Sequence, residues 1–532
     1  MLLERFRNWA ATPSAAERVF RIFHKALGLV YLAALVPLLY EVDALIGSNG
    51  LLPAIDLLEL TYADQGLTRS LLQFPSLYHL YPSDLMLYLI LGIGVFGAVL
   101  LIFSRYFFQG ALMAWVSFLS ITTIGGDFLI IIIDLFLAEV GFLALFSTYL
   151  IQYRGYIPKL VHFGFLMLNF RLWFCMGINK FYMPSSVWLN FEFFDTFFQA
   201  QPMPTPLAYY FHQVPSVLKW LAEIGLFIGE VFIPFAVFGG KNLRKLSFWI
   251  FVAISVLIQL NGNYGYFNVL SIVVALTILK DNDLGLFKKL RWKTDPISFG
   301  VPRFVAWILS AQILWQVLYS FYVFDPAPYS TQNHLNIMFN TWKTDSKVLN
   351  ALYEPFRWIG YWRVCNPYGV FKGIPKYHGE IRVSGSLDGK EWKDYEFRFL
   401  PSGKTDQVGF FAPYYPRLDH LMFYETLSES NCRHNPLNPY YTLENAWSCN
   451  FINSLLSNNR HITKLLSKNP FEEQPPKFVR TEVYRLRFDE AGTKYWQSEK
   501  MAAFGTVYES NSCVAPLINY QEAMTTVYGI RN

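Results

Sequence analysis

Nine apolar stretches, each close to the length that a bilayer demands, constrain this chain more than anything else in it. They lie at residues 20–40, 86–103, 108–126, 128–150, 160–178, 218–238, 246–261, 266–280 and 303–324. A helix rises 1.5 Å per residue, so about 20 mostly apolar residues cross the hydrocarbon. Residues 108–126 and 128–150 are parted only by Gly125, Gly126 and Asp127, and the seventh and eighth stretches are short and meet at NGNYGYF. Either pair reads equally as a re-entrant hairpin, so about nine spans are expected and their parity is firmer than their number. Composition agrees: 53% of residues are hydrophobic and 16% charged, against about 25% charged in soluble domains. The polar residues gather after about Asp325. The expected architecture is therefore a polytopic α-helical membrane domain, residues 1–324, followed by a soluble β-rich domain, residues 325–532.

Charge sets the sidedness. The amino-terminal arm carries Arg5, Arg7, Arg18, Arg21 and Lys25. If it is cytoplasmic, the connections at Arg105, Arg154–Lys159, Lys241–Lys245 and Lys280–Arg303 share its side, with seventeen basic residues in all. The other side holds Arg69, Lys180 and Lys219. That is the asymmetry of loops retained on the cytoplasmic side. It puts the exterior loops 41–85 and 179–217, and the tail from Asp325, on the opposite face, lumenal or periplasmic. The first apolar run is long and lacks a small-x-small cleavage site, so it reads as a retained span. No Asn-x-Ser/Thr acceptor occurs, which favours a bacterial envelope over the endoplasmic reticulum. No basic block with interleaved aromatics appears, so no nucleic-acid partner is expected.

The exterior stretch QAQPMPTPLAYYFHQVP, residues 199–215, breaks the apolar pattern with four prolines. Proline fixes φ and removes a donor, so an irregular, rigid, membrane-lying loop is expected. Pro202, Pro204, Pro206, Tyr209, Tyr210 and His212 are its candidate client-facing residues, since aromatic rings suit the headgroup level. In the tail, GEIRVSGSLDGKEWKDYEFRFL reads as strands 380–385 and 393–400 joined at Asp388-Gly389, a strong hairpin signal. Residues 478–488 alternate as a further strand, and 445–467 have helical spacing. A β-sandwich with an appended amphipathic helix is expected. Cys365, Cys432, Cys449 and Cys513 lie in this part. Cys432 and Cys449 flank a proline-rich loop and are the expected disulfide, with the other pairings open. No ligand spacing points to a metal, and no cofactor is expected.

Ionisable groups inside spans are costly and are functional candidates by default. Asp134 and Glu139 fall in the fourth span, Arg171 in the fifth, Glu223 and Glu230 in the sixth. Counted from the cytoplasmic ends, Glu139, Arg171 and Glu230 share one layer, in which Arg171 is neutralised by Glu139 or Glu230, or which forms a polar pocket. Lys180 ends the fifth span; it either snorkels to water or, partly desolvated, serves as a base.

Taken together, LIGSNGLLPA (45–54), FRLWFCMGINKF (170–181), QPMPTPLAYYFHQVP (201–215), GEVFIPFAVFG (229–239), NPYGVF (366–371), APYYPRLDHLMFYETL (412–427) and NPFEEQPPKFVRTEVYRLRF (469–488) resemble, in order, the lipase maturation factor family. The resemblance covers about residues 20–490. It implies a membrane protein of the secretory compartment that assists folding and assembly of exported lipases or similar clients, with no cofactor and no established catalytic residues. The partners it implies are a client lipase and membrane lipids. More loosely, GINKFYMPSSVW resembles membrane domains of the vitamin K-dependent carboxylase type. That likeness implies instead an enzyme acting on a lipid or quinone-like molecule, with Lys180 as base and Trp188 in support.

Overall fold

The structure is a computed structural model. It describes residues 2–182, 187–284, 308, 312, 360–366, 368–371, 374–375, 377–404, 409–430, 446–489, 495–501 and 507–509. Among these, seven helical segments are long and apolar enough to cross a membrane. They are α2 (Glu17–Leu45), α4 (Asp84–Phe103), α5 (Phe107–Ile124), α6 (Ile132–Arg154), α7 (Lys159–Asn179), the segment Ser216–Phe238 that begins with α10 (Ser216–Phe227), and α11 (Lys241–Asn261). A short amino-terminal helix, α1 (Leu2–Ala11), precedes them, and α3 (Ala54–Gln73), α8 (Phe193–Ala200) and α9 (Pro206–His212) lie in the connections. The eighth expected span is a shorter apolar helix, Phe267–Ile278, whose first part is α12 (Phe267–Ala275). The ninth, at 303–324, lies almost wholly outside the described residues. The seven apolar helices make this a multi-pass membrane protein.

The third and fourth expected spans are separate helices, parted by a turn at 125–131 rather than by three residues. Helices α4 and α5 pack backbone to backbone. A Cβ on Gly97 would meet Ala114 N at 2.7 Å, and one on Gly110 would meet Leu101 N at 2.7 Å. Without a hydrophobic drive between helices in lipid, such close small-residue contact supplies the dispersion that holds them.

One end of the bundle gathers the basic residues. The amino-terminal arm is pinned there by Ser14 N to Ile157 O (2.8 Å), Lys159 N to Thr12 O (2.8 Å) and Arg18 N to the Asp281 carboxylate (2.9 Å). The opposite end carries the turns at 46–53, 125–131 and 262–266, and the C-terminal part packs on it. Asn450 donates to Leu51 O (2.8 Å) and the Phe411 amide to the Asn263 side chain (3.0 Å).

The C-terminal part contains one antiparallel sheet among the described residues. Its strands are β1 (His378–Ser386), β2 (Lys393–Asp394), β3 (Phe478–Phe488), β4 (Trp496–Lys500) and β5 (Val507–Glu509), in the order β2-β1-β3-β4, with β5 also on β3. Register pairs Ile381 with Val483 and Phe488 with Trp496. The Asp388-Gly389 turn is present, with Gly389 at φ +73° and the Asp388 carboxylate accepting from the amides of Lys390 and Glu391 (2.9 Å each). The second hairpin strand stops at Asp394 because Glu396 leaves β1 and pairs with Lys468 instead. A second sheet, as a sandwich requires, is not found among the described residues. Helices α13 (Arg417–Ser430), α14 (Ala446–Leu456) and α15 (Arg460–Thr463) pack beside the sheet. Cys175 and Cys365 are free thiols. Cys449 is disulfide-bonded, and Cys432 lies outside the described residues.

Candidate functional site

Three buried ionic groups and one aromatic seam join the helical and C-terminal parts. The first group lies deep in the bundle. Glu139 on α6 and Arg171 on α7 form an ion pair with both side chains fully buried. The other Glu139 oxygen accepts from the Asn366 amide (2.8 Å), the Asn366 side chain (3.3 Å) and the Tyr368 hydroxyl (2.8 Å). Arg171 also donates to Cys365 and lies 5.1 Å from the Tyr368 ring. A charge pair in hydrocarbon persists only when its remaining donors and acceptors are matched, and here residues 365–368 provide the match. Asn179 clamps the same segment by donating to Tyr368 O (2.8 Å).

Glu230 does not join this layer. It pairs with Lys180, again with both side chains buried. The reason is local: Ile228–Phe232 forms a π-turn, which carries Glu230 toward the end of α7. Gly177 makes room, since a Cβ there would sit 2.9 Å from the Glu230 backbone. Lys180 Nζ lies 4.8 Å from the Trp188 ring centroid, a cation–π distance. Trp188 stacks on Phe193 at 3.6 Å and donates to Phe371 O (2.7 Å). Lys180 therefore neither snorkels nor stands open to a substrate; its ammonium is held by a carboxylate beneath an indole.

The third group was not legible in the sequence. Arg417, the first residue of α13, donates to both oxygens of Asp134 (2.7 and 2.8 Å) and to Phe128 O (2.7 Å). The Tyr266 hydroxyl adds a bond to Asp134 (2.6 Å). Asp134 sits in the first turn of α6, where the helix dipole also favours a carboxylate. Around it, Tyr414 donates to Glu41, Tyr415 meets His420 (2.5 Å), and Asp419 accepts from the Phe399 amide (2.8 Å). Burial pushes the Asp419 carboxyl up to about 7 and holds His420 down to about 3. Among the described residues of the spans no cation pairs with Asp134, a sign that its partner comes from elsewhere in the chain.

The proline-rich stretch forms the seam. Pro206 opens a helix at its first position, where the missing N–H costs nothing, so residues 206–212 are helical rather than irregular. Thr205 N and the Gln201 side chain bond to Asn261 O (2.9 and 3.1 Å), and Pro204 bridges Gly262. His378 Nδ1 meets Gln201 O (3.0 Å). Tyr209 donates to Asp489 O (3.0 Å), its ring meets Phe488 and Tyr495, and His212 faces Phe488 at 5.4 Å. Trp188, Phe193, Phe197 and Phe198 share one apolar cluster with Phe488 and Trp496. Tyr209 and His212 thus face the protein's own sheet, Pro204 is buried against Gly262, and Pro202 and Pro206 are half-buried. Tyr210, 62% exposed, faces away. Among the described residues, no group of three or more His, Cys, Asp or Glu stands close enough to hold a metal.

These features define a class: a multi-pass membrane protein with a β-containing C-terminal domain locked onto its helices by a buried ion pair and by buried hydrogen bonds to a second. Comparison with known proteins narrows it. The model of the lipase maturation factor transmembrane domain matches residues 18–286, and that of the lipase maturation factor C-terminal domain matches 364–505. The chain belongs to the lipase maturation factor family, and its role is lipase maturation factor-like. It is 24% identical to lipase maturation factor 2 of Gallus gallus over 92% of this chain and 81% of the relative. It is 26% identical to lipase maturation factor 1 of Mus musculus, covering 88% and 82%, and 24% identical to that of Homo sapiens, covering 90% and 86%. No solved structure matches.

Proposed function

We propose that this chain assists the folding and assembly of exported lipases, or of similar amphipathic proteins, from the face that carries its C-terminal domain. The amino terminus is cytoplasmic in this reading, and the C-terminal domain is lumenal or periplasmic. The gathering of basic residues at one end of the bundle and of the C-terminal domain at the other supports that orientation. The observation that carries the reading is the set of buried bonds from Asn366, Tyr368 and Arg417 to Glu139 and Asp134. They hold the exterior domain rigidly at the bilayer, as a platform for a client needs. A client is held through apolar area at about 25 cal/mol per Å² until its own interface closes, with no covalent chemistry. Tyr210 and Phe410, 62% and 59% exposed, are the first residues to test as contacts. The oxidising exterior also suits a Cys432–Cys449 disulfide.

An enzyme with Lys180 as base has less support. A base needs an open approach to its lone pair, whereas Lys180 is 2% exposed and donates to Glu230. The experiment is co-expression with a secreted lipase in cells that lack their own maturation factor. Active lipase in the medium should rise with this chain and should survive the double change Lys180→Met, Glu230→Leu. Lipase activity equal to that of cells without the chain would overturn the reading. Loss of activity in the double variant, with folding and insertion intact, would favour the enzyme.

A further inference from the structure

The connection between α2 and α4 is an aqueous loop by its sequence, yet its packing carries it below the ends of the helices. The contacts of α4 with α5 set a depth scale. Gly94 lies against Ser117, Gly97 against Ala114 and Leu101 against Gly110, an antiparallel register. Extended by one turn, it brings Ser120 level with Leu91 and Thr123 level with Tyr88. Leu91 is seven residues past Asp84, about 10 Å down the helix, and Tyr88 about 6 Å. Helix α4 has 20 residues, about 30 Å, which is the hydrocarbon thickness, so Asp84 marks the boundary. Yet Ser76 donates to Ser120 O (2.9 Å), the Leu77 amide to the Ser120 hydroxyl (3.0 Å), and Thr123 to Pro75 O (3.4 Å). The chain at 75–77 is therefore below the boundary, and it returns to the surface by Asp84.

Backbone outside an α-helix survives at that depth only where partners within the protein match its polar groups, and the bonds above supply several such partners. Beyond the Ser120 and Thr123 bonds, Ser76 accepts from the Tyr78 amide (3.1 Å), and His79 uses both ring nitrogens, on Tyr62 (2.5 Å) and on Phe74 O (2.7 Å). Gln73 reaches the Tyr361 hydroxyl (3.1 Å). The outward side is largely apolar; its exposed polar residues, Thr68 and Arg69, sit at its start, where a long arginine stem lets the charge reach the headgroups. Gly66, at φ +77°, kinks α3, and beyond it Ser70 and Gln73 face inward while Leu67, Leu71 and Leu72 are exposed. On the returning limb Leu80 is 76% and Tyr81 66% exposed, continuous with Leu85, Leu89, Ile93 and Phe96 along the outer face of α4. On a helix apolar enough to cross a membrane, an exposed apolar face of this kind is where lipid would lie.

We propose that residues 67–81 form a re-entrant hairpin inserted in the leaflet on the C-terminal-domain side, with phospholipid acyl chains as the partner of Leu67, Leu71, Leu72 and Leu80. The hairpin wedges lipid apart beside α5 and beneath the exterior domain. Nitroxide labels at Leu71→Cys and Leu80→Cys test this on the full chain in phosphatidylcholine vesicles, after subtraction of the background from the unmodified chain. Both sites are exposed, so neither change removes packing. Lys390→Cys, in the exposed hairpin turn, supplies the aqueous reference, and Phe96→Cys the lipid-facing one. Collision with oxygen severalfold above collision with a nickel chelate, as at Phe96→Cys, supports the hairpin. A ratio like that of Lys390→Cys at both sites would show a loop in water and overturn it. Exclusion of both reagents would mean that a protein surface covers the patch, and would overturn it equally.

Discussion

Replacing Arg417 with Met removes the cation that holds the C-terminal domain to α6. Among the described residues it leaves Asp134 fully buried with only the Tyr266 hydroxyl still donating to it, and Phe128 O without its donor. Breaking a buried pair by removing one partner costs about 3–5 kcal/mol, because the remaining charge is stranded. At 1.4 kcal/mol per tenfold, opening of the seam should become roughly a hundred- to a few thousandfold more frequent. A surface pair makes the contrast: Lys468 and Glu396, 60% and 42% exposed, should contribute no more than about 1 kcal/mol. The assay is protease protection of the C-terminal domain, with the thermal midpoint, on the full chain in bilayer discs. Arg417→Met should lose protection sharply while Lys468→Met stays near wild type. The double variant Asp134→Leu, Arg417→Met should be less damaged than the sum of its parts, because no charge is stranded. Equal effects of Arg417→Met and Lys468→Met, or strict additivity in the double variant, would refute the reasoning.

Three further outcomes are expected. Tyr368→Phe removes one donor to Glu139 and should cost about 1–3 kcal/mol in the same protection assay, with Glu139→Gln less harmful than Glu139→Ala because the amide still fills the site. Burial holds the His378 imidazole down to about 4. A depressed histidine contributes stability that is present above its unfolded value, near 6.5, and lost as pH falls toward 4, on the order of 3 kcal/mol in total. Protection should therefore fall across that window, and His378→Phe should flatten the profile. Gly110→Leu forces a side chain into backbone 2.7 Å away and should abolish monodisperse protein on size exclusion, whereas Gly92→Leu, which meets nothing within 4 Å, should be tolerated.

Much of the helical domain could be read directly, because the bilayer demands long apolar runs and the runs are there. The strand at 478–488 was legible for the same kind of reason, since alternation over eleven residues has few other uses. The short second hairpin strand was not, because Glu396 had two possible neighbours and tertiary contact with Lys468 chose one. Counting along helices placed Glu139 near Arg171 correctly. It misplaced Glu230, because counting assumes 3.6 residues per turn and the π-turn at 228–232 breaks that assumption. Pro206 read as a breaker, yet it starts a helix, since its effect depends on which side of the proline the helix lies.

Sequence alone determined that this chain crosses a membrane several times, which end of the bundle is basic, and that a β-containing domain follows. Each of these is a property of local composition and period, which water and lipid read without reference to distant residues. Only the tertiary structure decided which buried charges meet: Glu139 with Arg171, Glu230 with Lys180, Asp134 with Arg417. It also turned part of the proline-rich stretch inward against the sheet and drew residues 75–77 down against Ser120 and Thr123 of α5. The physical reason is common to all of these. A charge or a bare backbone group in a medium of low dielectric must find a partner, and which partner lies within reach depends on how elements hundreds of residues apart are packed.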